Sequence, residues 1–484
     1  MPKPNVLIFM ADQFRGDCLG IDGHPDVKTP FLDTLALRGA RFTRAYSATP
    51  TCIAARAGLL TGMLPEHHGR IGYQDGVPWT YEHTLPRSFT QAGYQTKCVG
   101  KMHVHPLRSR QGFEDVELHD GFLHYYRSPM NPYCESQMIA DDYLYEMQGL
   151  GHKDITDTGI ECNGSVARPW PYEENLHPTH WVADRAIDFL RRRDRDHPFF
   201  LMASFVRPHP PFDAPECFFD MYRGKNLRKP PVGDWAEKTG SRVQSSPYGI
   251  ADPELITEAQ IGYYACITQI DHQIGRIMER LLLEGELENT YILFISDHGE
   301  LLGDHNLYRK SLPYEGSARV PFLLSGPGIA PGQVRDSVVE LMDVMPTLLD
   351  ACGIDIPDTV DGQSVLPLLH GNADWRETVH GEHIYESGSV HYVVSSHDKF
   401  VWYSHTGKEL YFDLAGDPQE LRNLIDDPAR QDRIDQLRHA LIDRLTGREE
   451  GHTDGEKLIP GRPCSPILKS VFHYSIGVFR WTGN

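Results

Sequence analysis

Two apolar runs set the frame for this chain. Asn5-Val6-Leu7-Ile8-Phe9-Met10 and Tyr291-Ile292-Leu293-Phe294-Ile295 are each of strand length, and each stops abruptly in polar residues: Ala11-Asp12-Gln13 after the first, Ser296-Asp297-His298-Gly299-Glu300 after the second. A strand with one wet face alternates apolar and polar residues. A run that is apolar throughout belongs to a strand covered on both faces, as in a parallel sheet flanked by helices. Between the runs, strand and helix patterns alternate: a strand at 95–99, a helix at 179–192, a strand at 199–205 and a long helix at about 258–283. This alternation predicts an α/β fold with a large, mostly parallel sheet sandwiched by helices. Ligands of such sheets bind beyond the carboxyl ends of the strands, where both runs place acidic and amide or imidazole side chains.

After Gly371 the texture changes. His391-Tyr392-Val393-Val394, Lys399-Phe400-Val401-Trp402-Tyr403 and Glu409-Leu410-Tyr411-Phe412 are short strand-like runs, followed by a helical pattern at 428–445, so a smaller antiparallel sheet with a packed helix is expected. The 484 residues then divide into a catalytic domain at 1–375, an α+β subdomain at 376–450 and a tail at 451–484 that caps the active site or builds a homo-oligomer contact. The stretch 121–176 is rich in Tyr, Pro, Asn and Gly and reads as an irregular insertion. Its Tyr125-Tyr126 and Trp170-Pro171-Tyr172 offer rings that either stack on a sugar or simply pack.

Composition narrows the partners. With 67 acidic against 47 basic residues the net charge is −20, which argues against nucleic acid, so an anionic ligand needs a local basic pocket. No run approaches the length of a membrane span. Met1-Pro2-Lys3-Pro4 stands directly before the first core strand, with no room for a signal peptide, so a cytoplasmic protein is expected. The nine cysteines are scattered without metal-finger or redox spacing, and buried reduced thiols are the expectation for all but Cys52.

Cys52 opens a stretch unlike the others: Thr49-Pro50-Thr51-Cys52-Ile53-Ala54-Ala55-Arg56-Ala57-Gly58-Leu59-Leu60-Thr61-Gly62. Arg56 lies four residues on, so a helix returns it to the face of Cys52, and the helix N-terminus and the guanidinium together favour an anion beside residue 52. A lone thiol before apolar residues is otherwise a core residue. Taken whole, the segment resembles the signature of the type I sulfatases of the alkaline phosphatase superfamily, in which this cysteine is oxidised to formylglycine. The resemblance implies a formylglycine-generating or sulfatase-maturing enzyme as a partner. Ala54, where the usual residue is proline, resembles a substrate of the anaerobic radical type.

The resemblance extends to other positions. It implies a metal site of Asp12, Gln13, Asp297 and His298 with residue 52, holding calcium first, with magnesium or manganese as alternatives. Gln13 and His298 resemble the pattern of choline-sulfatase-like and phosphonate-monoester-hydrolase-like members. In Lys101-Met102-His103, residues two apart in an extended segment face one way; the resemblance implies Lys101 for the sulfate and His103 for the gem-diol. Pro208-His209-Pro210-Pro211-Phe212 holds His209 in a loop, and the resemblance implies a general acid there. After Asp304-His305, Lys310 matches the second sulfate-binding lysine, with His305 a weaker substrate-pocket candidate. Tyr411-Phe412-Asp413-Leu414 through Asn423-Leu424 resembles the C-terminal subdomain of sulfatases.

The implied reaction is hydrolysis of a carbohydrate or aryl sulfate monoester through a formylglycine gem-diol on a divalent metal, with Arg56 adding positive charge. The nearest rival is a phosphonate monoester or phosphodiester hydrolase on the same site, since phosphate and sulfate esters share tetrahedral geometry. A non-catalytic anion- or glycan-binding relative needs only the positive pocket and not the nucleophile.

Overall fold

The computed structural model describes residues 3–121, 140–152, 154–156, 158–237, 240–242, 246–371 and 374–472. In chain order the strands of its first part are β1 (Asn5–Asp12), β2 (Ala40–Phe42), β3 (Ala45–Tyr46), β4 (Gln95–Gly100), β5 (Asp115–Leu118), β6 (Phe199–Pro208), β7 (Thr290–Ser296), β8 (Arg319–Val320), β9 (Phe322–Ser325), β10 (Gln333–Arg335) and β11 (Val339–Glu340). Eight form one sheet in the order β10-β2-β9-β7-β1-β6-β4-β5, in which β9 alone runs against its neighbours. The sheet is mostly parallel, as the two apolar runs require. Three short strands, β11-β3-β8, form a side sheet that no sequence pattern announced.

The uniformly apolar character of β1 follows from its two partners in depth. Leu7, Phe9 and Ala11 point into a core shared with Trp181 and Ala186 of helix Pro178–Arg192 and Ile267, Ile270 and Ile274 of helix Pro253–Leu283. Val6, Ile8 and Met10 point into the opposite core, against Leu59 and Leu60 of helix Cys52–Thr61 and Met345 and Leu348 of helix Val344–Ala351. Each fully buried aliphatic side chain of this kind contributes roughly 1.5–3 kcal/mol. The long helix begins at Pro253 rather than near 258, because Asp252 caps it by accepting from Glu254 N and Pro253 occupies its first turn. At the other end of helix Cys52–Thr61, Gly62 adopts φ 67°, a left-handed cap that stops the helix where the sequence turns to Met63.

Register decides what meets at the carboxyl edge. β1 and β7 pair from Asn5 with Thr290 to Ala11 with Ser296, so Asp12 and Asp297 leave the sheet side by side. A register shift between Ala11 and Asp12 brings Asp12 opposite Pro208 of β6, and His209 N donates to Asp12 O at 3.0 Å. Gly100 of β4 pairs with Ser204 of β6, which delivers Lys101 to the same edge.

A second, antiparallel sheet of β12 (Val379–Tyr385), β13 (Gly388–Val394), β14 (Asp398–Tyr403) and β15 (Lys408–Asp413) follows. Helix Gln431–Leu445 lays Ile434, Leu437, Leu441 and Leu445 on Phe400, Trp402 and Tyr411 on one face. The other face, with Tyr392, Val401 and Phe412, packs on Tyr46, Leu301 and Tyr314 of the larger part. β12 escaped the sequence reading because Glu382 and His383 interrupt its apolar pattern, although both are buried. Trp170 is buried against Tyr172 and His177 and therefore packs, whereas Tyr125-Tyr126 lies outside the described residues. The described part of the tail, up to Phe472, runs along 69–71: Leu468 N donates to Gly69 O at 2.9 Å and Phe472 stacks under the Arg70 guanidinium. No described helix is long and apolar enough to cross a membrane, and every described cysteine is free.

Candidate active site

The four neighbouring strands β4, β6, β1 and β7 deliver Lys101, His209, Asp12 with Gln13, and Asp297 with His298 to one place. Helix Cys52–Thr61 points its first residue at them: Cys52 Sγ lies 3.3 Å from His298 Nε2, 3.6 Å from Asp12 Oδ1 and 3.7 Å from Lys101 Nζ. Asp12, Cys52, Asp297 and His298 each offer a ligand atom within 4.8 Å of the others, and all four are buried.

The donor set suits a divalent cation. His298 Nδ1 is 2.9 Å from Gly299 O, which fixes the N–H on that nitrogen and turns the Nε2 lone pair toward the two carboxylates. Burial works against a charged His298, yet Asp297 and Cys52 raise its pKa. Burial and Asp12 push Asp297 up, while burial also opposes a charge on Asp12 but Lys101 and Lys310 outweigh it and bring its carboxyl well below the usual range. Two carboxylates and an imidazole nitrogen around one point are hard oxygen and borderline nitrogen donors of the kind a divalent ion takes. Gln13, expected among the ligands, directs its amide oxygen to Lys310 Nζ at 2.6 Å and its amide nitrogen to Glu300; its backbone N donates to Asp297 Oδ1 at 3.1 Å.

Above this cluster opens a cavity of about 1220 Å³. Cys52, Lys101, His103, His209, His305 and Lys310 line it, whereas Asp12, Gln13, Arg56, Asp297 and His298 lie beneath its floor. Burial and Asp12 push the Cys52 thiol up, but Lys101, Lys310 and His298 outweigh them and bring it well below the ordinary cysteine range. The helix N-terminus adds in the same direction. His209 donates from Nδ1 to Pro210 O at 2.8 Å, and burial with Lys310 keeps its imidazole well below the usual histidine range.

Several placements differ in kind from the sequence reading. Arg56 does not face the cavity: its Nε donates to Asp297 Oδ2 at 2.9 Å and its Nη1 to Lys101 O at 2.6 Å and Ser204 Oγ at 3.0 Å. One helical turn carries it past Cys52 to the strand ends behind. Lys101 and His103 are brought together by a turn and not by an extended segment. Asp120 Oδ1 accepts from Met102 N at 2.8 Å and His103 N at 2.9 Å, and His103 takes φ 57°. Burial and Lys101 oppose a charge on His103, and Asp75, 3.5 Å from its Nε2, with Cys52 overcomes them. His305, by contrast, lines the cavity as its substrate-pocket reading requires: it packs 4.6 Å from Trp235, accepts from Gly233 N at 3.1 Å, and burial with Arg15 and Lys399 takes its pKa down to about 3.

Asp75, Asp120, Trp235, Tyr385 and Glu300 went unread as site residues. Glu300 stands inside the polar end of the second apolar run, so a signal existed; the others sit in loops or strand ends with no pattern around them.

Comparison with known proteins gives concordant matches. Residues 4–354 match the sulfatase family model and residues 303–446 match that of the N-sulphoglucosamine sulphohydrolase C-terminal region. The chain is 50% identical over 476 residues to an arylsulfatase of Clostridium perfringens, covering 96% of this chain and 99% of that protein. It is 33% identical to a choline-sulfatase of Rhizobium meliloti, over 88% of this chain and 83% of that one. The fold superposes on the crystal structure of a phosphonate monoester hydrolase of Agrobacterium radiobacter with a TM-score of 0.74 at 26% identity, covering 91% of this chain and 95% of the other.

Proposed function

This chain belongs to the sulfatase family and is a sulfuric ester hydrolase, and from that premise we propose that it cleaves a carbohydrate or aryl sulfate monoester to the alcohol and inorganic sulfate at the Cys52 site. The observation that carries the reading is the convergence, on the thiol of residue 52, of Asp12, His298 and Lys101 within 3.7 Å, beneath a cavity that Lys310 and His209 also line.

Asp12, Asp297 and His298, with residue 52, would hold the family's divalent ion, calcium in the first instance, which supplies positive charge against the ester oxygens. Formylglycine made from Cys52 by a maturing enzyme would, once water has added to its aldehyde to give a gem-diol, supply an oxygen nucleophile at that position. Lys101 and Lys310 receive the anionic oxygens of the ester and oppose the charge that builds there during displacement. Arg56 holds Asp297 and the Lys101 carbonyl in place from behind. Burial, with Lys310, holds His209 neutral in the free site, and a proton taken up on its Nε2 together with the anionic substrate would pass to the departing alcohol. His103, paired with Asp75, accepts a proton from residue 52.

A phosphonate monoester or phosphodiester hydrolase is the second reading. The pairs Asp12-Gln13 and Asp297-His298 and the superposition on a phosphonate monoester hydrolase favour it.

Rates on an aryl sulfate and an aryl phosphonate monoester, measured on protein whose residue-52 peptide has been weighed, test both readings. The expected result is turnover of the sulfate in proportion to a peptide about 18 Da lighter than encoded, and turnover below detection for Cys52→Ala. Full activity with an unmodified thiol overturns the mechanism, and a phosphonate rate above the sulfate rate installs the second reading.

A further inference from the structure

The stretch 71–80 brings Tyr73 and Asp75 to the cavity, yet no helix or strand lies between His68 and Leu85 to hold it. Arg70, which is 1% exposed, holds it instead. Its Nη2 donates to Val77 O at 3.1 Å and Pro78 O at 2.9 Å. Its Nε donates to Tyr81 Oη at 2.8 Å, and that hydroxyl donates in turn to His68 O at 2.8 Å. The guanidinium thus closes the loop across its neck. Aromatic rings cover it: Cζ lies 5.1 Å from the Trp79 centroid, 5.1 Å from that of Phe472 and 5.8 Å from that of Tyr81. A guanidinium holds carbonyls and ring faces more firmly the less water reaches it.

Trp79 and Tyr81 belong to the loop, but Phe472 comes from the opposite end of the chain. The tail that carries it lies antiparallel on 69–71, with Ile71 N donating to Pro466 O at 3.0 Å and Leu468 N to Gly69 O at 2.9 Å. Glu449 fixes the residues just before Phe472 by accepting from Lys469 N at 3.0 Å and Ser470 N at 2.7 Å. The approach leaves no room for side chains on the loop. A Cβ at Gly69 would stand 2.8 Å from Val471 and Phe472, and one at Gly72 would stand 2.6 Å from Ile384 and 3.1 Å from Pro466. Just beyond Gly72, the Asp75 carboxylate lies 3.5 Å from His103 Nε2. Tyr73 Oη, which donates to Asp75 Oδ2 at 2.5 Å, rides on the same loop, so the course of the loop sets where that carboxylate stands.

We infer that Arg70 and Phe472 are positioning residues for the His103 side of the cavity: the guanidinium closes the loop, the ring from the tail keeps water off it, and Asp75 is thereby held against the imidazole. The inference rests on the sulfate-hydrolysis reading for what His103 does, whereas the hold on the loop does not depend on which ester is cleaved.

Phe472→Ala removes the ring without touching the loop, and Phe472→Tyr restores an aromatic face. Arg70→Lys keeps the charge but loses the fork that reaches Val77, Pro78 and Tyr81 together. Asp75→Asn removes the carboxylate for which the loop is held, and the double variant Phe472→Ala/Asp75→Asn completes a cycle. For the wild-type protein and these variants the experiment follows kcat/KM on 4-nitrophenyl sulfate per molecule converted at residue 52, hydrogen exchange of peptides along the chain, and melting temperature. Phe472→Ala and Arg70→Lys are expected to exchange at least about tenfold faster in 71–80, with the parallel sheet unchanged, and to lose about tenfold or more in kcat/KM. Phe472→Tyr stays within about threefold of wild type in both. With Asp75→Asn already present, Phe472→Ala costs less than about threefold in kcat/KM, because the group it positions is gone. Full additivity in the cycle overturns the inference, and so does a wild-type rate or wild-type exchange in Phe472→Ala or Arg70→Lys. Exchange that rises evenly along the chain with a falling melting temperature overturns it too, since that marks general destabilisation. Failure of the function reading looks different: the wild-type protein itself then turns over phosphonate and not sulfate, while the local exchange and the cycle keep their pattern on the phosphonate.

Discussion

At the scale of single residues, the two cations nearest in sequence to their expected roles part company. Arg56 is buried and satisfies Asp297, the Lys101 carbonyl and Ser204, while Lys310 reaches the cavity and donates to Gln13. Removing one partner of a buried pair strands the other charge, at a cost of about 3–5 kcal/mol. Arg56→Ala is therefore expected to lower the unfolding free energy by about that amount in urea titrations. Lys310→Ala is expected to shift stability by less than about 1 kcal/mol while cutting kcat/KM by about a hundredfold or more. Equal stability losses in the two variants would show that both cations are structural.

At the scale of elements, the site is made where strands end, and the backbone there is unusual. Gln13, His103, His305, Asn306, Arg309 and Ser311 all take positive φ without being glycine, and several of them line the cavity. Asn306 apart, nothing in their composition announces this, since left-handed turns are read from glycine and asparagine. One glycine of the edge is indispensable for a spatial reason as well. Gly100 ends β4 at φ 94°, and a Cβ there would stand 2.0 Å from the Ser204 carbonyl of β6. The strand can hold its pairing and aim Lys101 only without a side chain at 100. Gly100→Ala is expected to lower stability by more than about 2 kcal/mol and kcat/KM at least about tenfold; a melting temperature and rate equal to wild type would remove Gly100 from this role.

At the scale of the whole molecule, the small C-terminal sheet is built into the site's wall. Lys399 of β14 is fully buried and donates at 2.8 Å to Pro313 O, Glu315 Oε1 and Glu420 Oε1, while Glu420 O accepts from Trp235 Nε1 at 2.6 Å. Burial, with the neighbouring Glu315 and against the pull of Lys399, pushes Glu420 up to about 7 from 4.5. The native state then holds more protons than the unfolded chain between those two values, so stability falls as pH rises through that window. In a comparison of urea titrations at several pH values, the wild-type protein loses on the order of 2–3 kcal/mol relative to Glu420→Gln between pH about 4.5 and 7.5. A difference that stays constant, or grows with pH, would mean that Glu420 is not held protonated there.

The two-sided strands, the helix that starts at Cys52 and the acidic ends of the two apolar runs were legible because each is a local pattern whose physics needs no distant partner. The proposed nucleophile position, both lysines and the candidate metal donors were named from those patterns and the family signature they resemble, and the structure gathers them at one sheet edge. Only the tertiary structure decided that Arg56 braces from behind, that Asp120 turns His103 toward the cavity, and that a sheet from the far end of the chain closes the wall. The reason lies in register. Residue 12 meets residue 297 because β1 and β7 pair across most of the chain, and which atom of a side chain then faces which neighbour depends on that pairing, not on the residues beside it in sequence.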